Sequence, residues 1–349
     1  MPEIFHYNNP FTLESGNILH GYHLAYTTSG TLNNKKDNAV WVFHALTANS
    51  DASEWWPGLV GEGKLFDPSE YFIVCVNMPG SCYGSTGPLE IDPATGHPYN
   101  HSFPWFTTRD MIRAYMPLKD FLGIEKIHIG IGGSMGGQQL LEWAIEEPGL
   151  FRYIFPIATN AQHSPWAIAF NASQRFCIEA DPTWKLNIPE AGLEGMKTAR
   201  SVALISYRSY ETYKLGQAEI SNEKIDRFNS ESYQHYQGEK LAKRFNAFSY
   251  YALSKSMDSH NVGRDRGSVI EALHRIKAMT LSIGIRSDLL FPVEEQEYLA
   301  AHIEGAKFRL IDSHYGHDGF LLEFEQIQQH IKEFITKDLL TTQKLETTN

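Results

Sequence analysis

Cysteine is scarce in this chain. Three occur among 349 residues, Cys75, Cys82 and Cys177, at spacings that suit neither a zinc site nor a disulfide framework. A reduced, cytoplasmic protein is expected. No apolar run approaches the roughly 20 residues that cross a bilayer, and Met1–Phe5 has neither the basic start nor the apolar core of a signal peptide. Membrane insertion and export are not indicated. Positive charge is also in short supply, since 30 Lys and Arg stand against 41 Asp and Glu for a net charge of -11. That balance argues against a general nucleic-acid or anionic-membrane surface. One local basic cluster, Lys240, Lys243 and Arg244, would suit a phosphate-bearing cofactor; the plainer reading is the solvated face of a helix. Internal repeats and low-complexity segments are lacking too. The polar end, Thr341 to Asn349, is expected to fray beyond the final helix.

What is present is apolar residue in quantity, 42% of the chain, enough for a large core. Strand-like runs, Asn38–Phe43, Tyr71–Val76, Ile127–Ile131 and Tyr153–Ile157, alternate with helix-like stretches such as Thr108–Phe121 and Leu140–Glu147. This alternation predicts an α/β protein with a mostly parallel sheet flanked by helices. From about Ser164 to Lys277 only helical patterns are evident, although a strand among Ser201–Ile205 is a less economical alternative; then strand patterns return at Ala278–Ile285 and Lys307–Ile311. The expected organisation is a core from 1–163 and 278–349 with an inserted helical cap (lid) over 164–277.

Between the run Ile127–Ile131 and the helix-like run from Gln138 lies Gly132-Gly133-Ser134-Met135-Gly136. Small residues two before and two after the serine permit a strained strand-to-helix turn that lifts the hydroxyl clear of the sheet. The strand before and the helix after supply the context that a nucleophile elbow needs. An α/β-hydrolase fold then demands an acid and a histidine later in the chain, in that order. Asp288 follows Ala278–Ile285, where a loop at a strand's carboxyl end belongs, and His314 and His317 lie in the glycine-containing loop after Lys307–Ile311. Singly these are ordinary turn or surface residues. In order, after an elbow, they compose a catalytic triad of Ser134, Asp288 and one of the two histidines. A metal reading of His314 and His317 is weaker, with no third ligand at suitable spacing. Backbone amides complete the site: the oxyanion hole is expected from Met135 and from Leu46, in the loop His44–Ala48 after the early strand Asn38–Phe43.

Further stretches, His44-Ala45-Leu46-Thr47, Gly84–Pro88, Phe103-Pro104, Thr108–Met111, Gly132–Gly137, Pro156–Thr159, His163-Ser164, Phe170-Asn171, Gln174-Arg175, Asp181-Pro182 with Trp184, and Gly316–Asp318 with Phe320-Leu321, give a more specific reading. Together they resemble the homoserine O-acetyltransferase family, acyl-CoA-dependent enzymes of methionine biosynthesis within the α/β-hydrolase superfamily. The resemblance implies that His317 is the base, that Arg175 holds the homoserine carboxylate, and that Asp318 takes its ammonium group. It also implies a homodimer packed through the caps, acetyl-CoA as acyl donor, and no tightly bound cofactor or metal. The chain departs from the family pattern at Ala48, Asn49, Asp51, Pro79, Ser81, Gln162 and Gly319.

The mechanism so implied is ping-pong. Ser134, activated by His317 and Asp288, takes the acetyl group from acetyl-CoA and passes it to L-homoserine. The alternatives keep parts of it: a succinyl donor or serine acceptor, a hydrolase using water, or a noncatalytic binding protein on the same fold.

Overall fold

The strand Ala39–Phe43 turns Ala39, Trp41 and Phe43 into one apolar cluster and Val40 and Val42 into another, all of them buried. A strand buried on both faces belongs inside a sheet covered by helices on each side. The computed structural model describes residues 2–346 of the chain and shows that arrangement. Eight strands form one sheet: β1 (Glu3–Tyr7), β2 (Tyr22–Ser29), β3 (Ala39–Phe43), β4 (Phe72–Val76), β5 (Ile127–Gly133), β6 (Phe151–Ile157), β7 (Met279–Ile285) and β8 (Lys307–Ile311). Their order across the sheet is β1-β2-β4-β3-β5-β6-β7-β8. The pairings of β2 with β1 and β4 are antiparallel, and the rest of the sheet is parallel. Neither β1 nor β2 is singled out by the sequence reading, which begins at β3.

Helices α1 (Thr108–Phe121) and α2 (Met135–Glu146) cover one face and α9 (Phe324–Glu346) the other, where Ile327 and Ile331 meet Ile129, Ile131 and Phe155. The start of α1 is a capping box: Thr107 accepts from the Asp110 amide at 3.1 Å and Asp110 accepts from the Thr107 amide at 2.9 Å. Arg109 then bonds Glu14 at 2.6 Å and Glu142 at 3.1 Å, while Arg266 bonds Glu142 at 2.7 Å and Glu146 at 2.6 Å. The motif Thr108–Met111 therefore anchors α1 to α2 and to the chain returning from the helical segment.

That segment lies between β6 and β7. It comprises α3 (Pro165–Glu179), α4 (Leu193–Tyr207), α5 (Tyr210–Gln217), α6 (Asn229–Ala242) and α7 (Ala247–Asp258), with a short turn of helix at Val269–Leu273. Ser164, Ser209 and Asn246 cap α3, α5 and α7 through side-chain oxygens. Ser201–Ile205 lies inside α4, so the alternative strand there is not formed. At the base, Gln162 and Asn261 make an isolated antiparallel bridge. Helix α8 (Val293–His302) joins β7 to β8. The backbone of the tail expected to fray is helical through Glu346; residues 347–349 lie outside those described. Among the described residues, no helix is long and apolar enough to cross a membrane.

Candidate active site

At the carboxyl end of β5 the chain turns into α2 within one residue. Ser134 sits at φ 56° and ψ -127°, a conformation that side chains rarely adopt. Its amide donates to the Ile157 carbonyl at 3.0 Å, and its carbonyl accepts from Thr159 Oγ1 at 2.8 Å, so the strained residue is tied to β6. The neighbouring glycines are there for close approach. A Cβ on Gly132 would lie 2.5 Å from the Gly136 carbonyl carbon, and one on Gly136 would lie 2.1 Å from the Phe43 oxygen. The start of α2 thus rests directly on the end of β3.

The loop after β3 is held by a side chain whose part the sequence does not announce. His44 is buried, with Nδ1 donating to the Ala45 carbonyl at 2.9 Å and Nε2 accepting from the Met78 amide at 3.2 Å. Burial lowers its pKa to about 4, against a smaller upward pull from the Ala45 carbonyl, so these two partners fix one neutral tautomer. The Ala48 amide also donates to the Ala45 carbonyl, at 3.0 Å. Because the peptide is planar and trans, clamping that carbonyl turns the Leu46 N–H the opposite way. Leu46 and Met135 are both buried, and Gly136, next to Met135, packs against Phe43 and His44.

Asp288 follows β7 and His317 follows β8, on the same sheet edge as Ser134. His317 Nδ1 lies 2.6 Å from Asp288 Oδ2, and the side chains are 4% and 0% exposed. The other carboxylate oxygen accepts from the Leu290 and Phe291 amides at 2.8 and 2.9 Å. This carboxylate is therefore fully occupied and fixes the imidazole's orientation. Phe291 stacks on the His317 ring at 5.1 Å, and Phe320 meets it at 5.2 Å. The Phe320 ring also occupies the space beside Gly133, where a Cβ would lie 2.3 Å from it. One aromatic side chain thus touches both the residue before Ser134 and the imidazole. His314, the other candidate, is exposed and packs on Tyr315.

Asp318, next to His317, is 16% exposed and bonds Arg208 Nε at 3.1 Å. Burial raises its carboxyl pKa, opposed by Arg208, then Arg200 and His317. Arg200 lies over the Tyr207 ring at 5.5 Å, and that ring is 5.8 Å from His317. Arg200, Arg208 and Asp318 line one cavity of about 230 Å3. Arg175 does not. Its guanidinium bonds Asp258 at 2.6 Å and Ser254 at 3.1 Å, and Asn171 holds the other Asp258 oxygen at 2.9 Å. The charge of Arg175 is matched within the helical segment, between α3 and α7, and the geometry brings Arg200 and Arg208, which the sequence reading passes over, to Asp318 instead. A signal for Arg200 exists: with Tyr207 it sits at i, i+7 on α4, hence on one face.

Some departures from the family pattern have local explanations. Asp51 caps the short helix Ala52–Trp55, and Asn49 Oδ1 accepts from the Asp51 amide at 2.8 Å. Gln162 forms the bridge to Asn261. Nothing in the structure explains Pro79.

Residues 38–324 match the family model described as the alpha/beta hydrolase fold. A homoserine O-acetyltransferase of Cyclobacterium marinum is 50% identical over 332 residues, covering 95% of this chain and 94% of its own. A homoserine O-acetyltransferase of Trichormus variabilis is 42% identical over 337 residues, with 95% and 93% covered. Among solved structures, homoserine O-acetyltransferase from Bacillus anthracis superposes with a TM-score of 0.89 at 25% identity, covering 96% of this chain and 97% of the other. With half its residues identical to such an enzyme over nearly its whole length, this chain belongs to the homoserine O-acetyltransferase family, within the alpha/beta hydrolase fold.

Proposed function

We propose that the protein transfers an acetyl group from acetyl-CoA to the hydroxyl of L-homoserine through an acyl-enzyme on Ser134. His317 removes the Ser134 proton as Oγ attacks the thioester carbon, and Asp288 steadies the imidazolium that forms. The oxyanion is met by the Leu46 and Met135 amides. When the C–S bond breaks, the proton passes from His317 to the departing thiolate. Homoserine then enters, His317 takes its hydroxyl proton as the oxygen attacks the acyl carbon, and the imidazolium returns that proton to Ser134 Oγ as the acyl–Oγ bond breaks.

The observation that carries this reading is the charged cavity that Asp318, the residue after His317, helps to line. A hydrolase needs only water at that position, whereas an amino-acid acceptor carries a carboxylate and an ammonium group that need opposite charges near the base. Asp318 suits the ammonium, and Arg200 suits the carboxylate better than Arg175, whose guanidinium is engaged by Asp258. Asp318 is also paired with Arg208, so the ammonium must share that carboxylate.

The same reading includes a homodimer through the helical segment. Ile205, Tyr210, Leu215, Ile220 and Ile225 are each more than half exposed there, an apolar concentration that a partner surface would cover. It also places the protein in the cytoplasm, which suits three free cysteines. The test is thiol release from acetyl-CoA and from succinyl-CoA, each with and without L-homoserine, with product mass identified. Homoserine-dependent release giving O-acetylhomoserine is expected; equal release without an acceptor would make the protein a hydrolase, and a preference for succinyl-CoA would change the donor.

A further inference from the structure

The cavity beside Asp318 holds more positive charge than an amino-acid acceptor uses. Besides Arg200 and Arg208 it is lined by Lys240 and Arg244, so four cations face one carboxylate, in a chain of net charge -11. A zwitterionic acceptor adds one charge of each sign and leaves that excess untouched. Arg208 has an ion pair with Asp318, but among the described residues no carboxylate oxygen comes within 4.0 Å of Arg200, Lys240 or Arg244. Arg244 Nη1 donates to the Thr47 carbonyl and the Tyr83 hydroxyl, both neutral, so neither bond answers its charge. The cations are graded in depth. Arg200 and Arg208 are half-buried, whereas Lys240 and Arg244 are exposed at the outside. Helix-end placement favours Lys240, in the last turn of α6, and Arg244, just past its C-cap, but does not account for Arg200.

We infer that Lys240 and Arg244 form an anion subsite for the phosphate groups of the acyl donor, outside the pair that recognises the acceptor. The inference rests on the donor being a CoA thioester, whose diphosphate and 3′-phosphate carry about four negative charges. Ammonium and guanidinium groups at a cavity mouth draw such a ligand in and hold it without metal. Arg244 also touches Thr47, next to Leu46 in the loop after β3, so donor phosphates bound there would load the same loop that presents an oxyanion amide.

The experiment is calorimetric titration of free CoA and of pantetheine, which lacks the phosphates, into wild type, Lys240→Gln and Arg244→Gln. Each replacement should weaken CoA about tenfold and pantetheine less than about twofold. Raising salt from about 50 to about 300 mM should weaken CoA binding to wild type more than to Lys240→Gln. Because Arg244 also holds Thr47, its variant is read by affinity and Lys240→Gln serves as the control for loop damage. Unchanged CoA affinity in Lys240→Gln, or equal weakening of CoA and pantetheine, overturns the subsite. If wild type forms O-acetylhomoserine while Lys240→Gln keeps its CoA affinity, the subsite alone fails. If wild type binds neither probe and only hydrolyses acetyl esters, the transferase reading fails and takes the subsite with it.

Discussion

The sheet edge and the helical segment meet at the same histidine but are built on opposite terms. On the sheet edge the carboxylate, the buried imidazole of the loop after β3 and the elbow backbone each have fixed neighbours: Asp288 has its imidazole and two amides, His44 has its two backbone partners, and the Ser134 backbone is tied to β6. On the helical side, charges stand in excess and largely unpaired around Asp318. Preorganised dipoles serve bond making and breaking, where reorganisation would raise the barrier. Unmatched cations serve ligands that bring their own negative charge. On the proposed reading the difference teaches that the framework sets the reaction type, while the helices it carries set the choice of substrates.

Breaking the framework should have the largest effect. Gly136→Ala would drive a methyl to 2.1 Å from the Phe43 oxygen and 3.1 Å from the His44 oxygen, separating the start of α2 from the loop after β3. Turnover should fall at least about a hundredfold and unfolding free energy by about 2 kcal/mol; steady-state kinetics and denaturant melts check both. Next comes the helical side, where two arginines are set against each other. Arg200→Gln should raise the KM for homoserine at least about tenfold while leaving CoA release in the first turnover near wild type. Arg175→Gln should do the reverse, lowering the thermal midpoint because it strands Asp258, with the homoserine KM moved less than about threefold. If Arg175 governs the KM instead, the assignment of the two arginines is wrong.

The smallest expected effect concerns buried imidazoles. Burial lowers His44 to about 4, and lowers His163 and His260 to about 3, all from an unfolded value of 6.5. Between those values the unfolded chain binds protons that the native protein does not, so stability falls as pH falls from about 6.5 toward 4. Thermal midpoints measured across that window should decline steadily with acid. Burial raises the Glu295 carboxyl to about 7, which offsets part of this loss over the same window; a rising profile would mean these rings take up protons in the native protein, and His44 could not then accept from Met78.

Legibility divides along the same line. The elbow is five contiguous residues, and its two close-approach glycines, its strand and its helix can be read in one window. Asp288 and the histidine are far apart in sequence but follow strand-like runs, so their order identifies Asp288 and leaves His314 and His317, between which the family resemblance chooses His317. Strand β1 escapes because it is the edge strand and largely solvent-facing, and β2, paired on both sides, because His23, Thr27, Thr28 and Ser29 leave it no long apolar run. The pairing of Arg208 with Asp318 spans 110 residues, and nothing local marks Arg175 as matched by Asp258. A family pattern shows that an arginine is retained without saying whether it meets a ligand or another side chain. The role of His44 has no local signal either, because it depends on a backbone amide 34 residues away.

The most direct test of the division is Asp318→Asn, followed through both half-reactions by rapid mixing. Asp318 adjoins the base but, on this account, recognises the acceptor only. The first-turnover release of CoA from acetyl-CoA should stay within about threefold of wild type, and transfer to homoserine should fall at least about a hundredfold. Equal loss in both half-reactions would mean that Asp318 belongs to the acylation machinery and that framework and helical side do not divide the work as proposed.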